Sequence, residues 1–379
     1  MKTVILSLSA PFTHGMLYKE NCFVRAAIEA GDEVTVITTA YEYKDGRETK
    51  TGAGIFDMPG YTLIRLERVK LGHRMITDKL RVYRDLENTV IGLAPDAIFY
   101  NGPQIWNVQR LGRIRRALPS CRIVWGFSVW SGNSGRNALS LNVLHKMIYR
   151  SWLRGSVKYA DRIFFTGQET KDFLLEIYKL PKDKMELNDL PGVVISEEEK
   201  RAASESFRKE KQLPEDAIVF AHSGKMDKLK KTVELLDAFR ACRDERFRLY
   251  VIGSFTDDVR DASLEKINGD DRITYVGFVT GNELEHYLRA SDVYLQPGSV
   301  SQTFQNAICS GCAVMGSDCD NNRKLFRKNG WLIKDDGDMI RVLETISKDP
   351  QILDGMSASS LEIAKEKLDY RTLYAKIYT

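Results

Sequence analysis

The chain has 379 residues, 43% apolar and 28% charged, a balance that supplies more than one globular core and excludes collagen-like, mucin-like and wholly disordered chains. Its 56 basic against 52 acidic residues leave a net charge of +4, too small a bias to point to nucleic acid. The charge is unevenly placed: +8 over residues 1–195 and −4 over 196–379, with no acidic side chain between Asp96 and Asp161.

In chain order, the opening segment Met1–Ala10 imitates a short signal peptide, but its apolar run is brief and ends in Pro11 and Gly15, which reads instead as the first strand of an α/β domain. Strands are expected at Thr3–Ser9, Glu33–Thr39, Tyr61–Arg65, Ala97–Tyr100, Arg122–Phe127 and Arg162–Thr166. Five more follow at Ala217–His222, Arg248–Gly253, Ile273–Val276, Val293–Gln296 and Ala313–Ser317. Helical stretches separate them, the pattern of parallel sheets covered by helices. Ser196–Leu213 reads as a charged helical spacer after Pro191-Gly192, so the boundary is set at 1–195 and 196–379. The C-terminal helices can cross back to the first domain. No apolar run is long enough to cross a bilayer, and six scattered Cys read as cytosolic thiols.

Chemistry is expected in loops at the carboxyl ends of strands. The first, Ala10–Asn21, contains His14, Gly15 and Tyr18 before a helix, where free N–H groups can meet a phosphate. After Ala217–His222 come Gly224, Lys225 and Lys230, cations able to converge on a diphosphate. Gly253 ends one strand and Gly277-Phe278-Val279 another, where backbone can bond a base edge and a side chain can cover its face. The densest segment, Gln296–Val314, offers Ser301, Gln302, Thr303 and Asn306 to a sugar or a β-phosphate. Its Cys309-x-x-Cys312 lacks a second ligand pair for zinc, and the five His form no metal motif, so no metal is expected. Leu139–Tyr159 interleaves Leu141, Leu144, Ile148, Trp152 and Tyr159 with Lys146, Arg150, Arg154 and Lys158, a composition suited to an anionic membrane surface.

In order and spacing these segments resemble the retaining glycosyltransferases of family 4, of the polysaccharide-building type, over essentially the whole chain. The carrying residues are Ala10–Asn21, Asp32-Glu-Val-Thr-Val-Ile-Thr, Tyr159–Phe165, Leu190-Pro-Gly-Val, Gly224-Lys225 with Lys230, Val276–Val279, and Ala290–Pro297. The resemblance implies the GT-B fold: two Rossmann-like doubly wound domains facing a central cleft, the first binding acceptor and the second the nucleotide-sugar donor. It implies Lys225 and Lys230 as the catalytic cations on the donor diphosphate, and Gly15, Gly224, Gly253, Phe278, Val279, Ser301, Gln302, Thr303 and Asn306 as donor-binding. His14, Tyr18 and Ser128 are expected on the acceptor.

Two departures stand out. Lys225 replaces the family's arginine, keeping the charge but losing its fork. Gly298 and Asn306 occupy the positions of two family Glu residues that contact the donor sugar and the ribose. The implied protein is a cytoplasmic, metal-independent transferase without a cofactor, peripheral on the inner face of the cell membrane. It would move a sugar from a nucleotide diphosphate-sugar to a lipid-linked or saccharide acceptor in capsule, O-antigen or exopolysaccharide assembly. The loss of both acids opens an alternative, a catalytically silent GT-B protein that binds glycan or scaffolds a partner. No nucleic-acid partner is expected.

Overall fold

The computed structural model describes residues 1–44 and 47–378; Thr379, the last residue of the expected second domain, lies outside the described residues. The chain divides into two compact units. The first comprises 1–14, 20–189 and the segment from 371 onward, and the second comprises 15–19 and 190–370. Residues 190–195, placed in the first domain by the sequence, fall in the second unit because their backbone is bonded there: Gly192 N–H donates to Leu368 O at 2.9 Å and Ile195 N–H to Cys309 O at 3.2 Å.

The first unit holds β1 (Lys2–Ser7), β2 (Glu33–Thr39), β3 (Tyr41–Lys44), β4 (Arg47–Lys50), β5 (Gly54–Met58), β6 (Tyr61–Leu66), β7 (Ala97–Asn101), β8 (Arg122–Phe127), β9 (Arg162–Phe165) and β10 (Met185–Leu187). Eight of these form one sheet in the order β10-β9-β8-β7-β1-β2-β6-β5, parallel except for the edge strand β5, while β3 and β4 pair as a separate hairpin. The opening segment that imitates a signal peptide is the strand between β7 and β2, buried from Thr3 to Ser7. Near-continuous apolar runs such as Ile98-Phe99-Tyr100 and Ile123-Val124-Trp125 suit parallel strands covered on both faces.

The second unit holds β11 (Ile218–Met226), β12 (Phe247–Phe255), β13 (Ile273–Gly277), β14 (Val293–Gln296), β15 (Ala313–Ser317) and β16 (Gly330–Ile333) in the order β13-β12-β11-β14-β15-β16, all parallel. This is doubly wound topology, in which the chain leaves β11 toward one edge and returns at β14 toward the other. The spacer predicted after Pro191-Gly192 is the helix Glu197–Glu210. It starts at a capping box in which Ser196 accepts from Glu199 N–H while Glu199 accepts from Ser196 N–H. Its Phe207 is fully buried against Val219, Tyr250 and Ile252.

Candidate donor site at the switch point of the second sheet

Strands β11 and β14 are neighbours whose following connections run in opposite directions, which opens a crevice at their carboxyl ends. Two loops enter it, 227–231 after β11 and 297–301 after β14. They are tied together by Ser299 N–H donating to Leu229 O at 2.7 Å.

At their junction sits Lys230, 4% exposed. Its Nζ donates to Ser301 Oγ at 3.1 Å, to Gln296 Oε1 at 3.3 Å and to Ser299 O at 3.3 Å. All three acceptors are neutral, and no carboxylate pairs with this ammonium among the described residues. Burial pushes its pKa down to about 8, only partly opposed by the Asp227 charge. A buried cation held by dipoles alone is a receptor for an anion: a phosphate oxygen arriving there recovers the Coulomb attraction that burial has left unused.

Gln296 sharpens this reading. It is fully buried; Oε1 accepts from Lys230 and from Ser301 Oγ at 2.7 Å, which leaves Nε2 as a buried donor without a partner among the described residues. Sequence reasoning placed Gln296 as the end of a strand and the start of the densest segment, with no ligand role of its own. The available signal was an amide closing an otherwise apolar buried strand, Val293-Tyr-Leu-Gln296. The residues underneath are locked by bonds of their own. His222 Nδ1 donates to Leu295 O at 2.7 Å and Nε2 accepts from Thr232 Oγ1 at 2.9 Å, with burial lowering its pKa to about 4. Tyr294 OH bonds Ser223 Oγ at 3.1 Å and also meets Ser301 and Thr303, which sets Thr303 beside the crevice.

Gly224 lies directly against Lys230: a Cβ at 224 would come within 3.5 Å of Nζ. Gly253 is wedged beside it, since at φ +131° a Cβ there would fall 1.9 Å from Gly224 O. Lys225 is exposed, at the end of the same strand, and carries no ion pair among the described residues. Gly224, Lys230, Ser301 and Thr303 are thus brought together, with Gly253 as packing and Lys225 at the rim.

Other expected donor residues are placed differently. Gln302 Oε1 accepts from Lys19 N–H at 3.0 Å and its Nε2 donates to Pro191 O at 3.2 Å, while Asn306 Nδ2 donates to Leu17 O at 3.1 Å. Both amides hold the segment 15–19 of the second unit. That segment brings Gly15, with φ +76°, against the backbone of Gly281, and it carries Tyr18. Lys19 N–H, a helix-start donor expected to be open to a phosphate, is therefore occupied. Val279 packs with Phe207, Tyr250 and Ile252, so its side chain serves the core, whereas Phe278 beside it is 37% exposed.

At 298, where the resemblance leads to the expectation of a Glu, there is no room for one. A Cβ at Gly298 would lie 2.0 Å from Leu229 O, so the tie between the two loops leaves no room for any side chain.

In the first unit, His14 follows β1 and is exposed, its Nδ1 2.8 Å from the Tyr61 hydroxyl. Burial raises the Tyr61 pKa to about 12. Ser128 is exposed just after β8. The three expected acceptor residues are therefore divided, His14 and Ser128 in the first unit and Tyr18 in the second. Among the described residues no group of three or more His, Cys, Asp or Glu could hold a metal ion. Cys312 of the Cys-x-x-Cys is a buried thiol bonded to Leu288 O and Ser291 O, with its pKa raised to about 11 by burial.

Comparison with known proteins agrees with this topology. Residues 217–349 match the model of the family described as glycosyl transferases group 1, a span that covers all six strands β11 to β16. A search of curated proteins finds no match. Among solved structures, the sucrose-phosphate synthase of Thermosynechococcus elongatus is similar over 100% of this chain and 97% of its own, at 14% identity and a TM-score of 0.71. Anabaena HepE, solved with UDP and glucose, is similar over 100% and 98%, at 14% and 0.67. WaaG, a glycosyltransferase involved in lipopolysaccharide biosynthesis, is similar over 99% and 98%, again at 14% and 0.67. The chain thus has the GT-B fold of these structures, and its residues 217–349 are similar to the family described as glycosyl transferases group 1.

Proposed function

We propose that the protein is a retaining, metal-independent glycosyltransferase of family 4 type that moves a sugar from a nucleoside diphosphate-sugar to a lipid-linked or saccharide acceptor in cell-surface polysaccharide assembly, in the cytoplasm at the inner membrane face. The observation that carries this reading is Lys230, a buried ammonium with no carboxylate partner among the described residues, at the switch point of the second sheet. HepE was solved with UDP and with UDP-glucose, which makes UDP the first nucleotide to try.

In this reaction the bond between the sugar's anomeric carbon and the diphosphate oxygen breaks as the acceptor hydroxyl attacks from the same face. A donor phosphate oxygen takes the acceptor proton, and the nucleoside diphosphate leaves with the bonding pair. The protein positions the partners and stabilises charge. Lys230 meets the growing diphosphate charge from inside the crevice and Lys225 meets it from the rim, while Ser301, Thr303 and the Gln296 amide offer bonds to phosphate or sugar. Phe278, exposed beside Gly277, is left to cover the base, and His14 and Ser128 of the first unit are left to the acceptor.

The rival is a catalytically silent GT-B protein. It draws support from Gln302 and Asn306, whose amides are engaged with backbone at 17, 19 and 191. Product analysis with UDP-, GDP- and ADP-sugars on a lipid-linked acceptor separates the two. The transferase reading expects glycosylated product that Lys230→Ala abolishes, whereas no product with any donor favours the silent protein.

A further inference from the structure

The helical stretch 139–159 does not present the apolar side chains that composition singles out. Leu141, Leu144, Ile148, Trp152 and Tyr159 pack against the core of the first unit. A different row faces outward on the π-helix Ser140–Tyr149 and the residue before it: Leu139 is 73% exposed, Val143 41% and Met147 65%. Their spacing of four residues keeps them on one side of the helix. A second element adds to them, the helix Arg74–Leu80, on which Met75 is 64% exposed and Ile76 47%. The two are joined directly, since Tyr149 OH donates to Lys79 O at 2.6 Å. Five of the exposed large apolar side chains of this unit thus stand on two bonded helices.

The charges on the two elements are mostly positive. Arg154 on the longer stretch is exposed, as are Arg136 shortly before it and Lys79 on the shorter helix. The only acidic group on either element, Asp78, is already paired with Arg68 and Arg74. Apolar side chains projecting from a cationic face match a surface that is apolar below and anionic above, which a bilayer of acidic phospholipid provides. A protein partner would have to bury the same row against a complementary apolar face, and nothing in the positive surround calls for that.

We propose that Leu139, Val143 and Met147, with Met75 and Ile76, insert between the lipids of an anionic bilayer while Arg136, Arg154 and Lys79 meet its phosphates. The purpose of the contact, bringing the enzyme to a lipid-linked acceptor, rests on the transferase reading; the surface itself does not.

The test is co-sedimentation of the full chain with mixed phosphatidylglycerol and phosphatidylcholine vesicles and with pure phosphatidylcholine, at low and high salt. The expected result is binding to the mixed vesicles only, weakened by salt, and reduced about tenfold or more by Leu139→Ser/Val143→Ser/Met147→Ser and by Met75→Ser/Ile76→Ser. Because these side chains already face water, both variants should keep the wild-type melting temperature and nucleotide-induced stabilisation, and Arg136→Glu, with no apolar change, should also weaken binding. Equal binding to neutral vesicles, wild-type binding by the triple variant, or no sedimentation with either vesicle would overturn the proposal. Vesicle binding without any response to nucleotides would keep this surface and remove the transferase reading.

Discussion

Lys230 makes the most specific demand at the scale of single residues. Its folded pKa of about 8 lies below the ordinary 10.5 of lysine, so the unfolded chain holds the proton more tightly. Burying the charged form therefore costs stability below pH 8, and that cost is relieved as pH rises from about 8 toward 10.5. Replacing the cation by an isosteric apolar chain, Lys230→Met, should leave the melting temperature unchanged or higher at pH 7 while lowering turnover by two or more orders of magnitude, roughly the loss seen when a charge-stabilising donor is removed. A nucleoside diphosphate should bind with constant affinity up to about pH 8 and more weakly above it, as the free protein loses the Lys230 proton; calorimetric titration across pH 7 to 10 reads this directly. The two missing Glu give a second demand. Restoring them by Gly298→Glu and Asn306→Glu should not recover a better enzyme, because position 298 is filled by Leu229 O and Asn306 donates to Leu17 O. Gly298→Glu alone should cost about 3 kcal/mol or more, seen as a clear fall in melting temperature. The sequence singled out Lys230 through its resemblance and its place after a strand. Its burial, its neutral partners and the orphaned Gln296 donor depend on how two loops meet, and no local pattern encodes that.

Strands with both faces covered were the most legible elements. Glu33–Thr39, Arg122–Phe127, Val293–Gln296 and Ala313–Ser317 occur at the bounds read from the sequence, because continuous apolar runs between turn residues admit few other structures. Strands β3, β4 and β5 went unread. They are short and largely exposed, with Arg47–Lys50 wholly polar, so no period distinguishes them from loop. Strands β10 and β16 are three and four residues long and mostly half-buried, without the continuous buried run that marks the equally short β14. The stretch 139–159 shows the complementary failure: composition identified the helix and its mixed character, but only the tertiary packing decides which apolar row turns inward. The pair β11 and β12 carries its own prediction. Gly253→Ala would drive a Cβ into Gly224 O at a φ of +131°, and the variant should lose several kcal/mol. It should either fail to accumulate as folded protein or show a sharply lower melting temperature.

On the scale of the whole chain, the first unit is completed by its last residues. Tyr374 OH donates to Asp32 Oδ2 at 2.6 Å and Tyr378 OH at 2.8 Å, with the N-terminal ammonium on Oδ1 at 3.0 Å. Arg371 adds an ion pair to Glu29 at 2.7 Å. Burial alone would raise the Asp32 carboxyl, but these donors hold it below the ordinary 3.8 overall. Its contribution to stability is therefore present above pH 4 and lost as pH falls through the lowered folded value. Tyr374→Phe should cost about 1–3 kcal/mol at neutral pH, a gap between the two thermal curves that narrows in acid. The central claim concerns the second unit, that its switch-point crevice takes a nucleoside diphosphate on Lys230. The most direct measurement is the melting temperature of wild-type protein and Lys230→Met against UDP, GDP, ADP and CMP. A ligand that binds only the folded state must raise it. The account predicts a concentration-dependent rise with one nucleoside diphosphate for the wild type and none for the variant. An equal rise in both proteins, or no rise in the wild type at millimolar nucleotide, would contradict it.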